Sequence, residues 1–223
     1  MVFFVLGNYT IEQVVRELEK RTSDISTTPV VMQRQQPMSC IAKRLNVNKH
    51  SHQAHVMIGG HAYDGRSTKR VALNLINNIL GGPGMNSRLN IALREHRGLV
   101  YEIESNYTPY TDIGTFSIYF GCDHEDVEHC IELVFKELKQ LREQRLSDSQ
   151  MRAAKKQLIG QIGVSSDNNE NNALGMAKTF LHYHRFVTSE EAFKSIELLT
   201  AELLQEVAQE ILAPENLSVL CFH

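Results

Sequence analysis

The sequence predicts an α+β fold, a mainly antiparallel sheet with helices packed on one face. Three observations point there. Strand-like segments gather in the first half of the chain, helical periodicity gathers in the second, and one more strand-like segment, Leu217 to Phe222, comes last.

Taken in order, VFFVLG at residues 2–7 reads as a buried strand. Thr10 with Gln13 forms a capping box for a helix that carries Ile11, Val14, Val15 and Leu18 along one face. The stretch from Thr22 to Met38, rich in Ser, Thr, Gln and Pro, reads as a linker. Strands are expected at about residues 40–46 and 53–63, then a helix from Ser67 to about Ile79 that turns Val71, Leu75 and Ile79 inward. Thr115 to Gly121 is expected to pair with the strand before it as an antiparallel hairpin, through the turn TPYTDIG. Asp123 is placed to cap a helix whose stripe is Val127, Cys130, Ile131, Val134, Leu138 and Leu141. Ser147 and Gln150 make a second capping box before a helix at 148–163. Helices at 168–185, 189–199 and 201–212 follow, the last stopped by Pro214.

The segment from Gly81 to Tyr101 is where chemistry is concentrated. Gly81, Gly82 and Gly84 around Pro83 leave the backbone soft and outside regular structure, so something is expected to come close to this loop. Beyond it Leu89, Ala92 and Leu93 recur at helical spacing. Gly98 supplies the left-handed stop, and Arg94, His96 and Arg97 occupy the last turn, where cations suit the negative end of a helix. From Leu99 the period becomes two, with Leu99, Tyr101 and Ile103 alternating against Val100, Glu102 and Glu104. Arg94 thus leaves a helix end where Tyr101 enters a strand, and both are expected to face one cleft.

Composition narrows the classes. At 223 residues, with 42% hydrophobic and 22% charged residues, the chain has ample surface to bury as a globular protein. A net charge of -3 gives no electrostatic reason to bind nucleic acid or an anionic membrane. The basic pairs Lys20-Arg21, Lys43-Arg44 and Lys155-Lys156 are scattered and read as solvated helix ends or strand edges. Cys40, Cys122, Cys130 and Cys221 form no CxxC pair, which argues for reduced, buried thiols in a reducing compartment. The longest apolar run, Val2 to Leu6, is too short to span a membrane or form a signal-peptide core.

Ser87-Arg88-Leu89 opening a helix, Arg94 near its end, and Gly98-Leu99-x-Tyr101 with the tyrosine seven positions after that arginine form a pattern with a known counterpart. It is similar to the second homologous half of the pitrilysin/insulinase superfamily of zinc peptidases, which includes the mitochondrial processing peptidase. The resemblance runs from about Cys40 to the C-terminus. It implies one repeat unit of a two-fold metallopeptidase clamshell. Residues 1–22 would be the closing strand and helix of a preceding, missing half, 23–38 a linker, and 39–223 the C-terminal, zinc-free domain. In that family the matching arginine and tyrosine reach across a closed chamber. The tyrosine hydroxyl bonds the oxygen of the tetrahedral intermediate and the arginine holds substrate backbone, so Arg94 and Tyr101 are the candidate catalytic residues. Gly81, Gly82, Gly84 and Ser87 are the candidate substrate-binding residues. The glycine loop resembles a flexible substrate-contacting loop, while a plain turn between helices remains its alternative.

Zinc chemistry in that superfamily rests on His-x-x-Glu-His, which this sequence lacks. His124 and His129 stand one residue too far apart, and on one helix their rings would diverge by roughly 140°. On a strand His50 and His52 would share a face while His55 lies opposite, so this cluster, with His61 a little further on, lacks three convergent ligands, and His182 and His184, two apart on a helix, diverge likewise. No metal site is expected on this chain, and zinc is expected in a partner half carrying His-x-x-Glu-His, upstream on the same chain or on a separate subunit. The expected activity is therefore that of a substrate-side half acting on unfolded peptide, inactive alone. The rival readings are a non-catalytic structural subunit like the core proteins of respiratory complexes, and a stand-alone metal hydrolase. No nucleic-acid or membrane partner is expected, and the location is expected to be cytoplasmic unless a signal precedes this sequence.

Overall fold

The computed structural model describes residues 2–26, 37–38, 41–49, 51–166 and 168–223. Cys40 and His50, and most of the expected linker, lie outside the described residues. The chain forms two compact units. One comprises Met1–Gln36 with Gln161–Glu191, the other Pro37–Gly160 with Ala192–His223.

In the larger unit a five-stranded sheet has the order β1-β5-β2-β4-β3. The strands are β1 (Arg44–Val47), β2 (Ala54–Ala62), β3 (Val100–Pro109), β4 (Gly114–Cys122) and β5 (Ser218–Phe222). Only the β1 and β5 pair is parallel; every other ladder is antiparallel. The last strand therefore enters the sheet between the first two, and the sheet is complete only once the whole chain has been laid down. Ala54, Val56, Ile58, Phe116, Ile118, Phe120, Val219 and Cys221 form its buried face. Met57 on the opposite face is 45% exposed. This is the mainly antiparallel α+β arrangement that the sequence predicts.

Three helices belong to the covered face. They are α2 (Arg70–Gly81), α3 (Val127–Glu143) and α7 (Ala201–Ile211). In α3 all six residues of the expected stripe are buried, as period 3.6 requires of a helix covered on one side. In α2 the buried set is instead Ala72, Leu73, Leu75, Ile76, Asn78, Leu80 and Gly81, with Val71 and Ile79 only half-buried. The single stripe expected there fails because α2 packs against both β3 and α7, so its apolar face is wider. At its start Lys69 Nζ reaches Glu206 at 2.7 Å and Glu210 at 2.5 Å, both on α7. Arg44 of β1 forks onto Glu128 of α3. The helix α4 (Asp148–Ser166) begins with the expected box, in which Ser147 N donates to Gln150 Oε1 and Gln150 N to Ser147 Oγ.

Within the smaller unit, α1 (Ile11–Thr22) starts at its expected Thr10 and Gln13 capping box and buries none of its residues. Val2–Gly7 enters no ladder. The apolar pattern alone does not make a strand, because a strand needs a neighbour for its backbone bonds. Here α5 (Asn169–Tyr183) falls close to its expected bounds, as does α6 (Ser189–Glu197), most of which belongs to the larger unit.

Gly81 lies inside α2, against the expectation that it stands outside regular structure. The reason is steric. A methyl group there would sit 2.9 Å from Glu104 C and from Ser105 Oγ, and closer still to Ser105 N, on the strand beneath. Ser105 Oγ donates to Asn77 O at 2.8 Å in the same contact. We predict that Gly81→Ala lowers the unfolding free energy by about 1–3 kcal/mol. Gly160→Ala, where nothing lies within 4 Å of the new methyl, should raise it by about 0.5–1 kcal/mol. Urea midpoints decide, and a Gly81→Ala midpoint at or above wild type would show that α2 is free to retreat from β3.

Candidate functional site

The loop after α2 is held more tightly than three glycines imply. Gly81 and Gly82 are buried, and Gly82 N donates to Asn78 O at 3.2 Å. Gly84 is half-buried, and its carbonyl accepts from Ser87 N at 3.1 Å. Next to it Asn86 Nδ2 donates to Gln157 Oε1 at 2.8 Å. A cavity of about 190 Å³ opens here, lined by Asn78, Asn86, Arg88, Gln150 and Gln157 over an apolar floor that includes Ile79 and Leu146. Ser87 is 2% exposed. Its hydroxyl, like Asn90 Oδ1, is buried without a hydrogen-bond partner among the described residues. Two orphaned polar groups thus sit at the start of the turn that carries Arg94.

That turn is wider than the helix the spacing predicts. Asn90–Glu95 is π-helical, with His96 N reaching Ile91 O at 3.0 Å. Leu89, Ala92 and Leu93 are buried as expected, and Arg94 is exposed. π-turns within helices are frequent at functional sites. Gly98 has φ 65° and ends the segment in the left-handed region, with its N–H on Arg94 O. Arg97 Nη1 folds back onto Ala92 O. The exposed Arg94 guanidinium has no hydrogen bond or ion pair among the described residues.

The expected alternation of the next strand is broken at its first step. The ladder pairs Val100 with Cys122 and Glu102 with Gly121, so Tyr101 is an unpaired extra residue, a β-bulge. Val100, Ile103 and Ser105 are buried, whereas Tyr101 and Glu102 are both exposed. Tyr101 does not share a face with Ile103, as strict period two requires, because the bulge shifts the phase by one. The phenol is 56% exposed, and its hydroxyl donates to Asp123 Oδ1 at 2.9 Å. That bond, reinforced by the field of the same carboxylate, holds the hydroxyl above the ordinary ionisation range of tyrosine. The sequence assigns Asp123 to helix capping, yet its side chain caps nothing. A short 3₁₀ turn, His124–Asp126, precedes α3 instead. Asp123 as the partner of Tyr101 is invisible in the sequence, since only the bulged register brings the two together.

Arg94 and Tyr101 lie on consecutive elements, and no hydrogen bond joins them among the described residues. Among the described residues the histidines form no group of three, although the rings of His124 and His223 lie 5.9 Å apart. His124 Nε2 is 3.0 Å from Ser51 O, and His55 Nδ1 is 2.8 Å from Tyr119 Oη. Among the described residues no three His, Cys, Asp or Glu side chains could hold a metal ion, so these residues do not fit a zinc centre. Cys122, Cys130 and Cys221 are buried free thiols. No helix among the described residues is long and apolar enough to cross a membrane.

A family model described as the peptidase M16 inactive domain matches residues 1–158. An uncharacterised zinc protease of Streptomyces coelicolor is 29% identical over 177 residues, 78% of this chain and 38% of that protein. One of Rickettsia bellii is 24% identical over 223 residues, 96% of this chain and 53% of that protein. The chain thus spans about half, or less, of the length of these relatives. Among solved structures, a peptidase M16 inactive domain from Pseudomonas fluorescens superposes with a TM-score of 0.85 at 21% identity, over 97% of this chain and 51% of that one. A protease from Helicobacter pylori does so with a TM-score of 0.87 at 16% identity, over 98% and 54%. A chain of complex III2 from Candida albicans has a TM-score of 0.79 at 15% identity, over 97% and 53%.

The orphaned hydroxyl of Ser87 gives a direct test of the site's design. A buried polar group without a partner costs stability, and removing it recovers that cost. Ser87→Ala should leave the unfolding free energy unchanged or raise it by up to about 1 kcal/mol. A fall of that size in urea unfolding would show that the hydroxyl has a partner in solution.

Proposed function

The chain belongs to the family of the peptidase M16 inactive domain, and on that premise we propose that it is the substrate-side, zinc-free half of a zinc metalloendopeptidase that cleaves unfolded peptides in a closed chamber. The observation that carries this reading is the exposure of two groups on consecutive elements, the Arg94 guanidinium on its π-turn, unpaired among the described residues, and the Tyr101 phenol on its bulge. Neither placement serves the core. A bulge that turns a large aromatic ring into water makes sense where that ring meets something.

In the proposed mechanism the His-x-x-Glu-His half would hold zinc, which would supply Lewis-acid chemistry and an activated water. This chain contributes the rest. Tyr101 donates a hydrogen bond to the oxygen that gains negative charge as the peptide carbonyl becomes tetrahedral, and Arg94 holds a neighbouring carbonyl of the substrate backbone. The loop of Gly81, Gly82 and Gly84, with Ser87 behind it, borders the path of the peptide. Residues 1–22 close the preceding half, 23–38 link the two, and 39–223 form the zinc-free domain. The exposed apolar stripe of α1, with Ile11 at 73% and Val15 at 45%, supports that division. A non-catalytic structural subunit is the second reading, and the fold it shares with the Candida albicans complex III2 chain favours it. Exposure of both Arg94 and Tyr101 favours the peptidase.

Cleavage of a quenched fluorescent peptide separates the two. Activity is expected only when this chain is joined or mixed with its His-x-x-Glu-His half, and silence in a stable assembly of the two would support the structural reading. In the active assembly, Tyr101→Phe should lower kcat by about a hundredfold or more, and Arg94→Ala should weaken both kcat and KM. Unchanged turnover in Tyr101→Phe would remove Tyr101 from the mechanism. Zinc in the assembly should track the partner half, with no stoichiometric zinc on this chain.

A further inference from the structure

We infer that Asp123 is a positioning residue that holds the Tyr101 hydroxyl in a resting orientation, from which the reacting carbonyl must take it over. The inference deepens the reading of Tyr101 as an oxyanion donor and rests on it.

A phenol carries one proton and therefore makes one donor bond at a time. In this structure that proton goes to Asp123 Oδ1, at 2.9 Å. The geometry follows from the bulge. With Val100 opposite Cys122 and Glu102 opposite Gly121, the extra residue Tyr101 lies beside the end of β4, and Asp123 is the first residue beyond it. An exposed hydrogen bond of this kind contributes little to folding, and the Asp123 side chain makes no cap for the turn that follows. What the carboxylate does change is the hydroxyl. The bond, with the charge of the same carboxylate, pushes ionisation of the phenol to higher pH, and the more distant Cys122 and Asp126 add in the same direction. A donor engaged by a full negative charge is unavailable to a neutral carbonyl. It is released only when the carbonyl oxygen itself becomes negative, or when substrate displaces the carboxylate. Asp123 thus sets the fraction of molecules whose Tyr101 is free to donate, and the apparent rate constant scales with that fraction.

The test is made in the full assembly with its zinc half, on a quenched peptide, using Asp123→Ala and Asp123→Asn beside Tyr101→Phe and the double variants. Asp123→Ala is expected to raise kcat/KM about threefold to tenfold, with Asp123→Asn smaller in the same direction. In a Tyr101→Phe background neither change should have an effect. A second readout does not depend on turnover. Ultraviolet titration, assigned to Tyr101 by its loss in Tyr101→Phe, should show the phenol ionising at lower pH in both Asp123 variants. If both variants fold and leave kcat/KM unchanged or lowered while Tyr101→Phe is impaired, the holding role of Asp123 is overturned and the role of Tyr101 stands. If Tyr101→Phe keeps full turnover, the donor role falls and this inference falls with it. An unmoved Tyr101 titration overturns the hydrogen bond itself.

Discussion

The contact between the end of α2 and the backbone of β3 is the constraint from which the site follows. Gly81 brings the helix against Glu104 and Ser105 with no side chain between them, and Ser105 Oγ fixes the approach through Asn77 O. A helix pinned at its last turn delivers the following loop at one place. That loop can then be short, buried at Gly81 and Gly82, and still lead directly into the π-turn carrying Arg94. The same strand that receives the helix carries Tyr101 at its other end, so both candidate residues are referred to one rigid strand. Groups that must meet a reacting atom within a few tenths of an ångström need such a frame.

Local irregularity then does what the regular elements cannot. An ideal α-helix through Asn90–Glu95 and an unbroken ladder through Val100 would place Arg94 and Tyr101 by the demands of the core alone. The π-turn widens the helix where Arg94 leaves it, and the bulge adds one residue to β3, which shifts its register against β4 between Val100 and Glu102. Leu93, Val100 and Ile103 stay inside the packed surface while Arg94 and Tyr101 are exposed.

How far these features were legible in the sequence depends on how local their causes are. The α3 stripe, the Thr10 and Ser147 capping boxes, the Gly98 stop and the hairpin before β4 follow from patterns within a few residues, and the structure contains them. The failures are nonlocal. Val2–Gly7 has the composition of a strand, but no strand among the described residues pairs with it. The sequence predicts one inward stripe for α2 because it cannot show that α7 covers a second side. Strict alternation predicts the face of Tyr101 wrongly because a bulge is a property of two paired strands, and the capping pattern at Asp123 misleads for the same reason. The family resemblance found Arg94 and Tyr101 from Ser87-Arg88-Leu89 and Gly98-Leu99-x-Tyr101, yet it could not show how either residue is held.

Under the proposed function, exposure of these residues explains why half of a site would be inert by itself. A hydrogen bond to developing negative charge is strong where water is excluded, and weak where water competes and the dielectric is high. Tyr101 at 56% exposed lies in the second regime. Its hydroxyl donates to the nearest carboxylate, and the Arg94 guanidinium has no hydrogen-bond or ion-pair partner among the described residues. A surface that covers them would remove the water and strengthen the interaction with substrate. It would also favour an oxyanion over Asp123 as the hydroxyl's partner, since a more concentrated charge wins a proton that a delocalised carboxylate shares with solvent. Under the proposed function, then, closure of two halves does more than enclose the peptide, because it converts two groups with little effect in water into an electrostatic device that exists only in the closed state.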